Sequence, residues 1–135
     1  MTYLLDTCIC IYLLNKRLLP LIRKFRRHQL GEIGISVITA SELQYGVAKS
    51  SQQEKNQERL DAFLAPFEIF PYDAKAVMAY GSIRAELEKK GQLIGPLDML
   101  IAAQALSSSL ILVTNNEKEF QRIPGLQIEN WAASV

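Results

Sequence analysis

Tyr3-Leu4-Leu5-Asp6-Thr7-Cys8-Ile9 is the stretch whose reading decides the fold. Leu4 and Leu5 form an apolar run too short for a helix, and a buried strand is predicted over about residues 2–6. Asp6 stands where that strand ends. Ile9, Ile11, Tyr12, Leu13 and Leu14 then resume at once with helix-compatible spacing. A carboxylate at the carboxyl end of a first, central strand is where open α/β sheets place their ligand chemistry. The same aspartate is equally placed to act as the N-cap of the helix beginning at Thr7.

Working outward, Asn15-Lys16-Arg17 closes this helix, and Pro20 suits the first turn of a second. Leu21, Ile22 and Phe25 form the apolar stripe of the second helix, with Arg23, Lys24, Arg26 and Arg27 opposite, and Gly31 is predicted to stop it. Ile33-Gly34-Ile35-Ser36-Val37 reads as a second buried strand. Thr39 opens a helix carrying Glu42, Leu43, Gly46 and Val47. The polar tract 49–59 lacks Gly and Pro, and Leu60, Phe63 and Leu64 restore helical spacing after it. A helical hairpin is expected, its tip solvated or touching a partner.

Phe67-Glu68-Ile69-Phe70-Pro71 alternates as a third strand. Asp73 is a plausible N-cap for a long helix ending at Lys89-Lys90-Gly91. A loop follows, and Pro96 starts another helix with Asp98 in its first turn. Leu110-Ile111-Leu112-Val113-Thr114 is the clearest strand of all. Asn115-Asn116, a short helix carrying Phe120, and an edge strand at Leu126-Gln127-Ile128 complete the pattern. Strands alternating with helices predict a three-layer α/β/α domain around a central, mostly parallel sheet.

The chain has 135 residues, 49% hydrophobic and 21% charged, the make-up of an ordinary globular domain spanning 1–135. No apolar run approaches the ~20 residues of a membrane span. The start has no signal-peptide pattern, so a cytoplasmic location is expected. A net charge of +1 and a pI near 7.7 neither require nor exclude a nucleic-acid partner. Cys8, Cys10 and the lone His28 are too few for a Cys/His zinc site. Both cysteines are expected as reduced, core or near-core thiols.

Each acid has a structural reading. Asp6 caps a helix, Thr39-Ala40-Ser41-Glu42 has the form of a capping box, and Asp98 suits the positive end of a helix. Together they say more. Asp6 and Glu42 both follow strands, Asp98 starts the helix that leads into strand 110–114, and that strand delivers Thr114, Asn115 and Asn116. One sheet edge thus collects three carboxylates and an amide. Like charges gathered there raise one another's pKa unless a cation sits among them, and oxygen ligands select Mg²⁺ or Mn²⁺. Acidic clusters of this kind hydrolyse phosphodiesters.

Gly46, one turn after Glu42, either opens room beside the acid or lets two helices pack closely. Arg23-Lys24-Phe25-Arg26-Arg27-His28 can hold an RNA backbone, although a solvated helix face is the commoner reason for such a run. There is no Gly-rich phosphate loop and no nucleophile elbow. Two rivals remain at this point: a phosphoaspartyl phosphatase or receiver-like domain, and a non-catalytic α/β binding module whose acids only cap helices.

Tyr3-Leu4-Leu5-Asp6-Thr7, Ser36 to Leu43 with Gly46, Gly95-Pro96-Leu97-Asp98 with Ile101-Ala102, and Leu112 to Asn116 with Glu119-Phe120 and Pro124-Gly125-Leu126 resemble the VapC toxins. These are PIN-domain ribonucleases of type II toxin–antitoxin modules, and the match runs in order to about Trp131. The resemblance implies a PIN-like fold and a Mg²⁺- or Mn²⁺-dependent endoribonuclease that stops translation, with initiator tRNA the substrate in the branch it most resembles. It also implies a homodimer, inhibition by a VapB antitoxin, and a larger toxin–antitoxin assembly. Carried over by position, Asp6 and Asp98 are metal ligands, with Glu42 joining them directly or through water. Two departures stand out. Cys8 replaces an Asn common in the family, and a thiol substitutes poorly for an amide hydrogen bond. The fourth acidic position falls on Asn116, with Glu119 one turn on either supplying the missing carboxylate or completing a second capping box.

Overall fold

The structure, a computed structural model, describes residues 1–132. Its elements are β1 (Tyr3–Leu5), α1 (Thr7–Leu14), α2 (Leu19–Arg26), β2 (Ile33–Ser36), α3 (Val37–Ala48), α4 (Gln53–Leu64), β3 (Glu68–Phe70), α5 (Ala74–Lys89), α6 (Pro96–Ser107), β4 (Ile111–Val113), α7 (Glu117–Phe120) and β5 (Ile128–Glu129). The sheet order is β3-β2-β1-β4-β5, and every neighbouring pair is parallel. The expected α/β/α layering and the central place of β1 both hold. From β1 the chain winds first towards β2 and β3, then returns to the other side as β4 and β5. The reversal falls between β1 and β4, where open sheets form a crevice at their carboxyl edge.

Alternation along the strands divides the core between the two faces. Leu4 and Leu112 join Ile83, Leu87, Ile101 and Phe120 on the α5–α6–α7 side. Leu5, Ile35 and Val113 join Ile9, Leu21, Leu43 and Leu60 on the α1–α4 side. Strands buried on both faces are continuous apolar runs, which is why Leu4-Leu5 and Leu112-Val113 read as strands at all.

Several boundaries differ from expectation. α2 ends at Arg26, and Gly31 lies inside a single 3₁₀ turn, Leu30–Glu32, that leads into β2. α3 begins at Val37, two residues before Thr39, because the Ser36 hydroxyl accepts from the Ile38 N–H at 2.9 Å and caps the helix. The helical hairpin is α3–α4, with its turn at residues 49–52. Asp73 caps α5 by accepting from Ala76 N–H at 3.0 Å. Gly91 follows that helix at φ +64°, the left-handed conformation for which glycine is suited.

Gln104 is among the fully buried polar residues. Gln104 of α6 accepts from the Ser36 hydroxyl and donates through Nε2 to the carbonyls of Phe70 and Pro71, each at 3.0 Å. It joins α6 to the ends of β2 and β3.

The basic residues Arg23, Lys24, Arg26 and Arg27 are exposed on α2, as a solvated face requires. His28 lies parallel to Trp131 with ring centroids 4.4 Å apart, edge-on to Tyr3. It packs against the start of β1, while Asp6 sits at the strand's end. Both cysteines are free, and Cys10 is fully buried. No helix among the described residues is long and apolar enough to cross a membrane.

Candidate metal centre

Asp6 is 4% exposed at the end of β1. One carboxylate oxygen accepts from the Thr7 N–H at 2.8 Å, so the capping role is real. The other accepts from the Thr114 hydroxyl at 2.7 Å and from the Cys8 thiol at 3.3 Å. Thr114 in turn accepts from the Asn116 N–H. Burial raises the Asp6 pKa, these hydrogen bonds oppose the rise, and the Glu119 charge adds to it. The thiol at position 8 therefore occupies a donor's place, though thiols are weak donors. Burial first and the Asp6 charge second push Cys8 up to about 11, so it stays protonated and able to donate.

Glu42 is half-buried on α3, and its Oε1 accepts from the Thr7 hydroxyl at 2.7 Å. Thr7 Oγ1 also lies 3.0 Å from Thr39 Oγ1. Since Thr7 has one proton and gives it to the carboxylate, the fully buried Thr39 is the donor to Thr7. The capping box expected at Thr39–Glu42 is absent: Ser36 is the cap, and Glu42 is turned towards α1. Capping therefore does not account for this acid.

Asp98 sits in the first turn of α6. A Cβ on the preceding Gly95 would stand 3.2 Å from its Oδ2, so glycine leaves that carboxylate room. The Asp98 pKa is raised to about 6, by burial first and then by the charges of Asp6, Glu42 and Glu119. Three other acids thus act on Asp98 across the same edge. Glu119 is held by Asn116, whose Nδ2 donates to Glu119 Oε2 at 2.9 Å. Asn116 makes no side-chain cap bond to α7, so a second capping box does not form.

Among the described residues no three His, Cys, Asp or Glu side chains are drawn together as closely as a bound ion would hold them. The donor set nevertheless fits a hard divalent cation. Asp6, Glu42, Asp98, Glu119 and Asn116 offer oxygen donors that could hold one, and the charges that perturb Asp98 are all negative. An ion among them would offset that repulsion. Two residues that sequence reasoning passed over belong here, Thr7 and Thr39. Their pairing links segments 32 residues apart, and no local pattern announces it.

A pH dependence follows. An acid whose folded pKa lies above its unfolded value binds more protons when folded, so stability falls as pH rises between the two. For Asp98 that window runs from 3.8 to about 6, and Asp6 acts in the same direction. The thermal midpoint of the metal-free protein is expected to decline across this window, and saturating Mn²⁺ to oppose the decline. A midpoint rising steadily through it would show these carboxylates to be stabilised by the fold.

Beside Glu42 a groove of about 880 Å³ runs along α3, lined by Thr7, Glu42, Leu43, Tyr45, Gly46 and Lys49 among others. A Cβ at Gly46 would meet nothing within 4 Å, which leaves the open-space reading and removes close helix packing. Gly46→Ala is expected to stabilise the fold by up to about 1 kcal/mol, since the helix interior disfavours glycine. Urea denaturation measures it, and a loss of stability would mean the space is filled.

A family model described as PIN domain matches residues 3–126. The chain is 48% identical to Ribonuclease VapC2 of Rickettsia felis, across 97% of this chain and 98% of that protein. It is 40% identical to the tRNA(fMet)-specific endonuclease VapC of Shigella flexneri, across 96% and 98%. The crystal structure of VapBC2 from Rickettsia felis, bound to a DNA fragment from its promoter, contains a chain that superposes with a TM-score of 0.89 at 46% identity, covering 97% of this chain and 99% of that one.

Proposed function

The chain belongs to the PIN-domain family, and from that premise we propose that it is a VapC-type toxin, a Mg²⁺- or Mn²⁺-dependent endoribonuclease of a type II toxin–antitoxin module. The observation that carries the reading is the set of acids gathered at the β1–β4 crevice, all oxygen donors, with Asp98 raised to about 6 by burial first and then by the charges of Asp6, Glu42 and Glu119. The names of the relatives agree, two of them being a ribonuclease and a tRNA(fMet)-specific endonuclease.

Asp6 and Asp98 would hold the ion, with Glu42 beside them and Glu119 completing the edge from α7. A divalent ion in this setting acidifies water and neutralises the charge that builds on a phosphodiester in the transition state. The remaining work falls to the chain itself. Thr114 and the Thr7 N–H fix both oxygens of Asp6. Thr39 donates to Thr7, which donates its hydroxyl hydrogen bond to Glu42 and so orients that carboxylate. Asn116 aims Glu119. Carboxylates held this way need little rearrangement when the substrate arrives, which is what electrostatic preorganisation requires.

The substrate class is RNA, with initiator tRNA the first candidate from the Shigella flexneri relative. The partners are a VapB-type antitoxin, in keeping with the VapBC2 complex of Rickettsia felis, and a second copy of this chain in a larger assembly. The location is the cytoplasm. Sequencing of RNA ends after brief induction tests the reading, comparing wild type with Asp6→Asn. New ends confined to wild type are expected, together with Mn²⁺-dependent cleavage by the purified protein. Equal cleavage by a folded Asp6→Asn protein would overturn it.

A further inference from the structure

Four residues of α3 and its C-cap fall at i, i+3, i+4 and i+7, which places them on one face of the helix. They are Glu42, Tyr45, Gly46 and Lys49, and all four line the groove beside the acids. Their chemistry changes in order along it. Glu42 belongs to the acidic edge. Tyr45 follows, 65% exposed. Gly46 adds no side chain and leaves open space. Lys49 closes the series, its Nζ 5.0 Å from the centre of the Tyr45 ring. Arg59 of α4 lines the same groove, donating to the Leu14 carbonyl at 2.8 Å. Neither cation forms an ion pair with a carboxylate among the described residues.

We propose that this stripe is a base-stacking subsite for single-stranded RNA: Tyr45 takes a nucleobase flanking the cleaved phosphodiester, and Lys49 and Arg59 take phosphates leading away from it. The proposal rests on the ribonuclease reading and extends it to a residue that sets how the strand lies. Three observations converge. The ring stands in solvent although the helix around it is well packed, and an exposed aromatic face stacks on any base. Among the described residues Lys49 and Arg59 have no acidic partner, so a phosphate does not have to displace one. Gly46 leaves the flank of the ring open, where a larger side chain would stand beside an entering base. The groove reaches the acidic edge at Glu42, which lines it together with Thr7. A protein tail is the competing occupant. It has no need of an aromatic platform and cations placed in sequence from the acids.

The test begins with an oligoribonucleotide spanning the mapped cleavage site, cleaved by wild type with Mn²⁺. Failure of wild type to cleave any RNA overturns the ribonuclease reading and this proposal with it. Given cleavage, Tyr45→Ala is expected to raise KM by about tenfold, the scale of one base–aromatic stack, and Tyr45→Phe to restore it. Bases beside the cleavage site are then removed one at a time as abasic nucleotides. At one position wild type should lose as much as Tyr45→Ala does, and Tyr45→Ala should lose nothing further there. Lys49→Gln should reduce the slope of log KM against log salt by about 0.7. Tyr45→Ala with unchanged KM, or penalties that simply add at every abasic position, would overturn the proposal. If Tyr45→Ala weakened only the binding of a purified antitoxin, the groove would be a protein site instead.

Discussion

Asp98→Asn is expected to abolish RNA cleavage and, in the same molecule, to raise the thermal midpoint of the metal-free protein near neutral pH. The two effects share a cause. At neutral pH the ionised Asp98 carboxylate is held partly out of water and faces Asp6, Glu42 and Glu119, the causes that lift its pKa to about 6. Asparagine has the same shape and no charge, so the repulsion disappears. The loss of activity should reach about three orders of magnitude or more, the rate equivalent of several kcal/mol of electrostatic stabilisation. Mn²⁺ should narrow or reverse the stability difference, because wild type binds the ion more tightly and gains more by mass action. Calorimetry with and without metal, beside a cleavage assay, measures both effects. A metal-free variant less stable than wild type would show that Asp98 is held by a favourable partner. Stability is then the quantity that the site gives up in exchange for chemistry.

Gln104→Leu should destabilise the fold by about 2–4 kcal/mol. Leucine has nearly the volume of glutamine, so the effect is not that of a cavity. It comes from the Ser36 hydroxyl and the Phe70 and Pro71 carbonyls, which lose the partners that the buried amide supplies. Against a typical stability of about 5–15 kcal/mol this is a large fraction. Ser36 is also the cap of α3, so Ser36→Ala should cost stability as well. The double variant should cost less than the sum, because each substitution removes the same bond. Urea denaturation of the four proteins closes the cycle. Full additivity would mean that Gln104 acts mainly through β3.

How much of this was legible in the sequence depends on the range of the interaction. β1 and β4 were readable because strands buried on both sides show as continuous apolar runs. The helix starts at Asp73 and Pro96 were readable because capping and proline chemistry are local. The start of α3 was misplaced at Thr39: three hydroxyl residues, Ser36, Thr39 and Ser41, lie within reach of it, and the sequence does not say which one the backbone selects. For the same reason the Glu42 capping box was a sound local reading that a long-range bond from Thr7 displaced. Gln104 gave no signal, since a glutamine within an otherwise apolar helix resembles a surface position until its partners are known. Topology alone placed the acids and Thr114 on one edge, while the Thr7–Thr39 pair that holds Glu42 joins segments no local pattern links.

The hydrogen bond from Thr114 to Asp6 joins residues 108 positions apart, and β4 pairs directly with β1. In a chain made from its N-terminus, β1, α1, β2 and α3 emerge long before β4 exists. Until then one flank of β1 is an open edge, and the second oxygen of Asp6 lacks its hydroxyl partner. Asp98 and Glu119 also belong to the last third of the polypeptide. Translation of this protein therefore imposes a delay: the message must be read past β4 and α7 before the acidic edge can close. A ribosome carrying an unfinished copy holds an inert chain, and truncation anywhere before Thr114 should leave a product unable to assemble the site.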